Sequence, residues 1–304
     1  SQCEATGNLP WAIMGELRQF GYLGGLLSEE AGGYGLSYRT WAMMMEEAGY
    51  RWLSLRVLLN TVNIVIALFH HLGDARQKEK WLKPVMAGQM PVWVGITEPD
   101  HGSDVASVQT RAEDKGDHYL VNGQKTWTSG GQWADKCFAI VRTDRSDKHK
   151  GISFLLIDMD SPGVEVRPIT MISGTSPFCE TFFDNVKVPK DQLVGEINRG
   201  WDVAKYLLGH EREMISGMGT QGGAISLSRI ALANLGAEDD GRLADPILRA
   251  RIAQFELRAE AFRAMSERFL DELNAGKAHR AQPSMMKYTG TELNKQRYEL
   301  AMAA

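Results

Sequence analysis

Between Met90 and about residue 190 the chain is patterned in strands, and on either side of that stretch it is patterned in helices. That switch of period, from 3.6 to 2 and back, limits the folds open to it more than any single motif does. Val92, Val94 and Ile96 alternate with Trp93, Gly95 and Thr97. Short β-prone runs follow at Ser107 to Ala112, His118 to Val121, Lys125 to Ser129, Cys137 to Arg142, Ile152 to Asp158, Val164 to Pro168 and Glu180 to Val188. Turn signals at Lys115-Gly116-Asp117, Asn122-Gly123 and Ser161-Pro162-Gly163 separate them. The pattern predicts an α+β chain: an N-terminal helical domain over 1–90, an antiparallel β domain or barrel over 91–192, and a helical bundle over 193–304.

The helical parts carry their own punctuation. Leu17 to Tyr22 is a short amphipathic turn, Ala31 to Gly35 breaks it, and Trp41 to Ala48 resumes with Glu46 and Glu47 outward. Leu53 to Leu72 is apolar at nearly every turn, as in a helix buried on most sides, and Gly73 suits its C-terminal cap. Arg76 to Met86 points Trp81, Leu82 and Val85 inward. After Gly200, Trp201 to Met218 runs into Gly219 to Leu235, with small residues at Gly217, Gly219, Gly222, Gly223, Ala224 and Ser226 that favour close packing. Asp245-Pro246 opens a long amphipathic helix to Ala275, and Ser284 to Ala304 forms the last. The chain begins and ends within helical segments, as a fragment would.

With 304 residues, 43% of them hydrophobic, the chain can bury more than one core. A net charge of −4, spread along the sequence, offers no basic face of the kind a nucleic-acid backbone needs. Cys3, Cys137 and Cys179 are too few and too scattered for a disulfide framework or a metal site, which fits a reducing compartment. The longest apolar run, around Val62 to Phe69, is short of the roughly 20 residues a membrane span takes, and the expectation is a chain with no membrane segment.

The chemistry is densest from Trp93 to Asp104. Pro99 removes a donor and ends the strand, and Asp100, His101 and Gly102 form a turn. Gly102 and Ser103 then bring bare amides and a hydroxyl to a strand end, where a phosphate- or carbonyl-bearing ligand could be held; the same residues also make an ordinary turn.

The order of these pieces resembles the acyl-CoA dehydrogenase family over essentially the whole chain. The resemblance rests on Glu29 to Gly35; His71-Leu72-Gly73 with Gln77-Lys78 and Trp81-Leu82; and Ile96 to Pro99 with Gly102-Ser103-Asp104. It continues in Asn122 to Ser129, Phe183 to Val186 with Val188-Pro189, and Gly200-Trp201. It implies an FAD enzyme that desaturates an acyl-CoA thioester. A carboxylate takes the α proton, the β hydrogen leaves as hydride to the flavin, and an electron-transferring flavoprotein is the acceptor. The family resemblance also implies a homodimer or homotetramer, in a bacterial cytoplasm or a mitochondrial matrix.

By position, the resemblance puts Ile96 and Thr97 at the pyrimidine edge of the flavin and Gly102 and Ser103 at its pyrophosphate, Ser103 also meeting substrate. Trp127 would stack on the ring and the Ser129 hydroxyl would approach the reactive nitrogen. Trp127 reads equally as strand core, and Ser129 as a turn hydroxyl. Glu98, in the densest motif, is assigned to holding the turn. Glu211 matches the family's early position for the base, where desolvation would raise its pKa. Arg212, beside it and toward substrate, would favour the ionised form. Alternatively, His210 to Glu213 is a solvated run of charges.

Two departures stand out. The family's Arg-x-x-Phe-Gly signature is replaced by Asp245 to Arg251 without Phe-Gly, which resembles a divergent bacterial-type branch and leaves Arg249 as a weak substitute for the cross-subunit FAD contact. Gly49-Tyr50-Arg51 resembles glutaryl-CoA dehydrogenases, whose arginine binds a distal carboxylate, yet Trp52 stands where a serine usually follows. A dicarboxylyl-CoA substrate, a same-fold flavin monooxygenase or nitroalkane-type oxidase, and a non-catalytic scaffold therefore remain alternatives.

Overall fold

The computed structural model describes residues 11–215 and 226–304, with side chains outside 212–215. The small-residue cluster from Gly217 to Ala224, and the side chain of Arg212, lie outside the described residues. The chain divides into two compact units, one of residues 1–35 and 57–208, the other of residues 36–56 and 209–304.

In the first unit, one sheet is strung from β1 (Val92–Gly95), β2 (Arg111–Asp114), β3 (His118–Ser129), β4 (Lys136–Arg142), β5 (Ile152–Asp158), β6 (Val164–Ile169), β7 (Phe178–Pro189) and β8 (Leu193–Val194). Their order is β6-β7-β3-β2-β4-β5-β8, with β1 on β4. Pairing is mostly antiparallel, as expected, but β1 and β2 each meet β4 in parallel. That parallel placement lays the end of β1 in the interior of the sheet. Val121, Cys137, Ala139, Val141, Leu155, Ile157 and Val186 close the core without exposure, each large aliphatic contributing roughly 1.5–3 kcal/mol.

Two readings of the strand region change. Asn122-Gly123 is not a turn: β3 runs unbroken from His118 to Ser129, and Gly123 sits at a register shift within it at φ 152°. A Cβ there would lie 2.5 Å from Thr110 Oγ1, so glycine serves a close backbone approach rather than a reversal. Ser107 to Ala112 is not one strand either, because a 3-10 turn, Val105–Ser107, precedes β2.

The helices follow expectation with local changes. Leu53–Leu72 forms one helix, as the apolar pattern predicts. It is long and apolar enough to cross a membrane by length and composition, which the longest-run criterion missed because polar residues interrupt it; more than half of it is buried. Asn63 on this helix accepts from the Gly24 amide at 3.0 Å and donates to the Tyr22 carbonyl at 2.8 Å, fastening the Gly21-Tyr22-Leu23-Gly24 segment. The segment from Ala75 to Met86 contains a π turn over Lys78–Leu82 in place of a uniform α-helix.

In the second unit, Pro246–Asn274 is capped by Asp245, whose carboxylate accepts from the amides of Ile247 and Leu248, each at 2.9 Å. It packs through Leu248, Ile252, Phe255, Phe262 and Phe269 against Met286, Leu293 and Leu300 of the Gln282–Ala303 helix. Arg249 holds the preceding loop by donating to the Leu243 carbonyl at 2.8 Å.

Candidate functional site

The end of β1 and the middle of β3 meet by a hydrogen bond: the Thr126 amide donates to the Thr97 carbonyl at 2.9 Å. Immediately after it β3 shifts register against β7, between Lys125 and Thr128, and Trp127 takes the left-handed conformation at φ 59°. A bulge re-aims the side chain it carries, and a bulky residue at positive φ is held there only by its surroundings. The Trp127 indole is 54% exposed, its one described ring contact being an edge approach to Phe178 at 6.0 Å. Of the two open readings of Trp127, strand core is therefore excluded by its exposure. Ser129, half-buried, faces Phe178 at the strand's end.

Past β1 the chain makes the turn expected at Pro99 to Gly102, closed by reciprocal backbone bonds between Glu98 and His101 at 3.1 and 3.3 Å. Glu98 holds this turn, as the sequence reading assigned. It is 4% exposed and accepts from the amides of Gln109 at 2.6 Å and Thr110 at 2.9 Å and from Lys125 Nζ at 2.8 Å. Burial pushes its carboxyl up, but the Lys125 charge and the bonds from Lys125, Gln109 and Thr110 together hold it below the usual glutamate value. Burial lowers the Lys125 ammonium from its ordinary value, against the attraction of Glu98.

Lys125 is the residue the sequence reading missed. Tyr119 and Val121 face the core on the odd positions of β3, and a lysine continuing that parity has no solvent to reach and demands a carboxylate. That parity was the available signal.

Beyond the turn, Gly102 and Ser103 are exposed, and a Cβ added at Gly102 would meet no atom within 4 Å. Asp104 is tied to Ser107 and Lys148, each at 2.7 Å, so the turn is anchored on both sides of its open tip. A bare-backbone turn linked through Thr97 to a flat exposed indole fits a phosphate-bearing ring cofactor.

The other named residues lie in the second unit. Glu211, on the Gly200–Ile215 helix, is partly exposed, its side chain at 32%, with Lys287 Nζ at 3.6 Å. The shielding expected for Glu211 is that of a flavin and an acyl chain beside it; Lys287 was not foreseen. Arg51, at the end of the Tyr38–Arg51 helix, is exposed, bonds Glu47 at 2.7 Å and lies over the Tyr50 ring.

Helices, a sheet and helices again, with the segment leading into an open turn bonded to the strand that carries an exposed indole, define a flavoprotein-type fold. In sequence, residues 1–89 match the acyl-CoA dehydrogenase N-terminal domain, residues 94–186 the middle domain and residues 198–304 the C-terminal domain. The chain belongs to the acyl-CoA dehydrogenase family, whose members are FAD-dependent flavoproteins.

The chain is 39% identical over 189 residues to acyl-CoA dehydrogenase IpdE1 of Mycobacterium tuberculosis, covering 60% of this chain and 47% of that one. It is 36% identical over 205 residues to a glutaryl-CoA dehydrogenase of Desulfococcus multivorans, covering 66% and 52%. Thus it spans about half the length of these relatives. The solved Tcur3481-Tcur3483 steroid ACAD superposes with a TM-score of 0.81 at 29% identity, over 96% of this chain and 75% of that one.

Proposed function

We propose that this chain is an FAD-dependent acyl-CoA dehydrogenase that desaturates a thioester between its α and β carbons. The observation that carries this reading is Trp127: an exposed residue at positive φ, on a strand that the Thr126–Thr97 bond joins to the segment leading into the open turn. FAD, when bound, supplies the hydride acceptor.

The chain's own residues do the rest. Backbone groups of Ile96 and Thr97 would hydrogen-bond the pyrimidine edge of the flavin, Gly102 and Ser103 would hold its pyrophosphate, Trp127 would stack on the ring, and the Ser129 hydroxyl would approach the reactive nitrogen. Glu211 takes the α proton on a carboxylate oxygen and Ser103 serves the substrate, a role the family resemblance also gives Arg212, whose side chain lies outside the described residues. An electron-transferring flavoprotein is the acceptor. Exposed Tyr288, Tyr298 and Met302 on the last helix support assembly as a homodimer or homotetramer. The bacterial sources of the relatives favour a cytoplasmic setting.

For substrate, the glutaryl-CoA relative keeps the dicarboxylyl reading open, with Arg51 as its cation. Arg51 is already paired with Glu47 and exposed, which favours a monocarboxylyl thioester. The test is to load the protein with FAD and add straight-chain, branched, glutaryl and steroid-bearing CoA thioesters. One of them should bleach the flavin band, with slow oxygen uptake. Bleaching by none overturns the dehydrogenase, and rapid oxygen consumption identifies the monooxygenase or oxidase instead. Failure to take up FAD identifies the non-catalytic scaffold.

A further inference from the structure

Lys125 has no exposed surface, and its ammonium reaches two acceptors on the same segment of chain: Glu98 Oε1 at 2.8 Å and the Ile96 carbonyl at 3.3 Å. Glu98 extends that grip to the amides of Gln109 and Thr110, so both ends of the Pro99-to-Ser107 loop are fastened to one buried ion pair. Arg142 fixes the same return segment by donating to the carbonyls of Ala106 and Val108. The neighbouring Thr126 amide takes the Thr97 carbonyl. Consecutive carbonyls, Ile96 and Thr97, are thus each bonded to consecutive residues of β3.

A buried ion pair is weak evidence for stability, because an apolar pair of similar volume packs as well without desolvating two charges. What the ammonium adds is direction. A methionine in its place would fill the space but leave the Ile96 carbonyl free to rotate, and with it the peptide planes on either side.

We propose that Lys125 is a positioning residue for the cofactor, holding the Ile96 and Thr97 peptide planes at the angle from which they bond the flavin's pyrimidine edge. The inference rests on the proposed assignment of those two residues. Hydrogen bonds to that edge tune how readily the ring accepts electrons, so the readouts are FAD affinity and midpoint potential, which a merely structural lysine would leave unmoved once the protein has folded.

The experiment compares wild type, Lys125→Met and the double variant Glu98→Gln/Lys125→Met. The double variant removes both charges, and its carboxamide oxygen keeps one of the two amide bonds that Glu98 accepts on separate oxygens, from Gln109 on Oε2 and Thr110 on Oε1, so it costs less than a lone buried carboxylate would. The expected result is a folded double variant whose FAD dissociation constant rises at least tenfold and whose bound flavin shows a lower midpoint potential. Wild-type affinity and potential in that variant overturn the inference and leave the proposed function standing. A variant that behaves as expected, in a protein whose flavin no acyl-CoA bleaches, overturns the dehydrogenase reading and leaves the positioning role in place. Wild-type protein that takes up no FAD overturns both.

Discussion

The Thr126 amide lies 2.9 Å from the Thr97 carbonyl, and the next residue, Trp127, is one of the few non-glycine residues at positive φ. That bond joins the strand carrying the open turn to the strand carrying the exposed indole. The geometry of one therefore sets the geometry of the other.

Trp127 should matter to the cofactor and little to the fold. Trp127→Ala removes an exposed ring with an edge contact to Phe178, so the apo protein should lose no more than about 1 kcal/mol. FAD affinity should fall about tenfold, for roughly 1.4 kcal/mol of lost stacking. Thermal unfolding of the apo protein and flavin-fluorescence titration separate the two effects; an equal loss in both would make the indole structural.

Two glycines should answer alanine differently. At Gly123 the new methyl meets Thr110 with the backbone at positive φ, and a stability loss of roughly 1–3 kcal/mol is expected in denaturant titrations. At Gly102 the methyl meets nothing, so apo stability should stay within about 0.5 kcal/mol while FAD binding weakens. Unchanged FAD binding by Gly102→Ala would remove the turn from the cofactor site.

Glu211→Gln should cut the rate of thioester-driven bleaching by about 10²–10⁴, the range of general-base catalysis. Its ion pair with Lys287 is partly exposed, so stability should change by less than about 1 kcal/mol. Stopped-flow bleaching beside a melting curve checks both; wild-type rates would return His210 to Glu213 to a solvated run of charges.

Acid should loosen the turn through Glu98. Its folded pKa lies below the ordinary glutamate value of 4.5, so the folded state holds fewer protons than the unfolded chain between the two. The stability it contributes is complete above about 4.5 and is lost as pH falls through the folded value. Lys125→Met leaves the ionised carboxylate buried without its partner, at about 3–5 kcal/mol near neutral pH, and protonation of Glu98 relieves that loss. Stability of the variant relative to wild type should therefore improve as the medium is acidified, and a gap independent of pH would count against an ionised pair.

Much of the fold was legible because it follows from local period. Leu53–Leu72 is apolar enough to declare its own length, and Ile152–Asp158 forms over the residues its β-prone run marks out. Asp245-Pro246 begins a helix wherever it stands before an amphipathic run. The Asn122-Gly123 pair misled because the same residues serve a hairpin or a bulge, and only Thr110, brought alongside by the sheet, decides between them.

The site divides along the same line. Sequence by itself determined that Gly102 and Ser103 follow a strand end, that Glu98 serves the turn and that Trp127 lies on a strand, since each depends on neighbours within a few residues. Only the tertiary structure decided that Trp127 is turned outward by a bulge, that Lys125 is the partner Glu98 requires, and that Glu211 lies near Lys287. A buried charge must find its counterion in space, and the separation of 27 positions from Glu98 to Lys125 carries no local signal of the distance that folding closes to 2.8 Å.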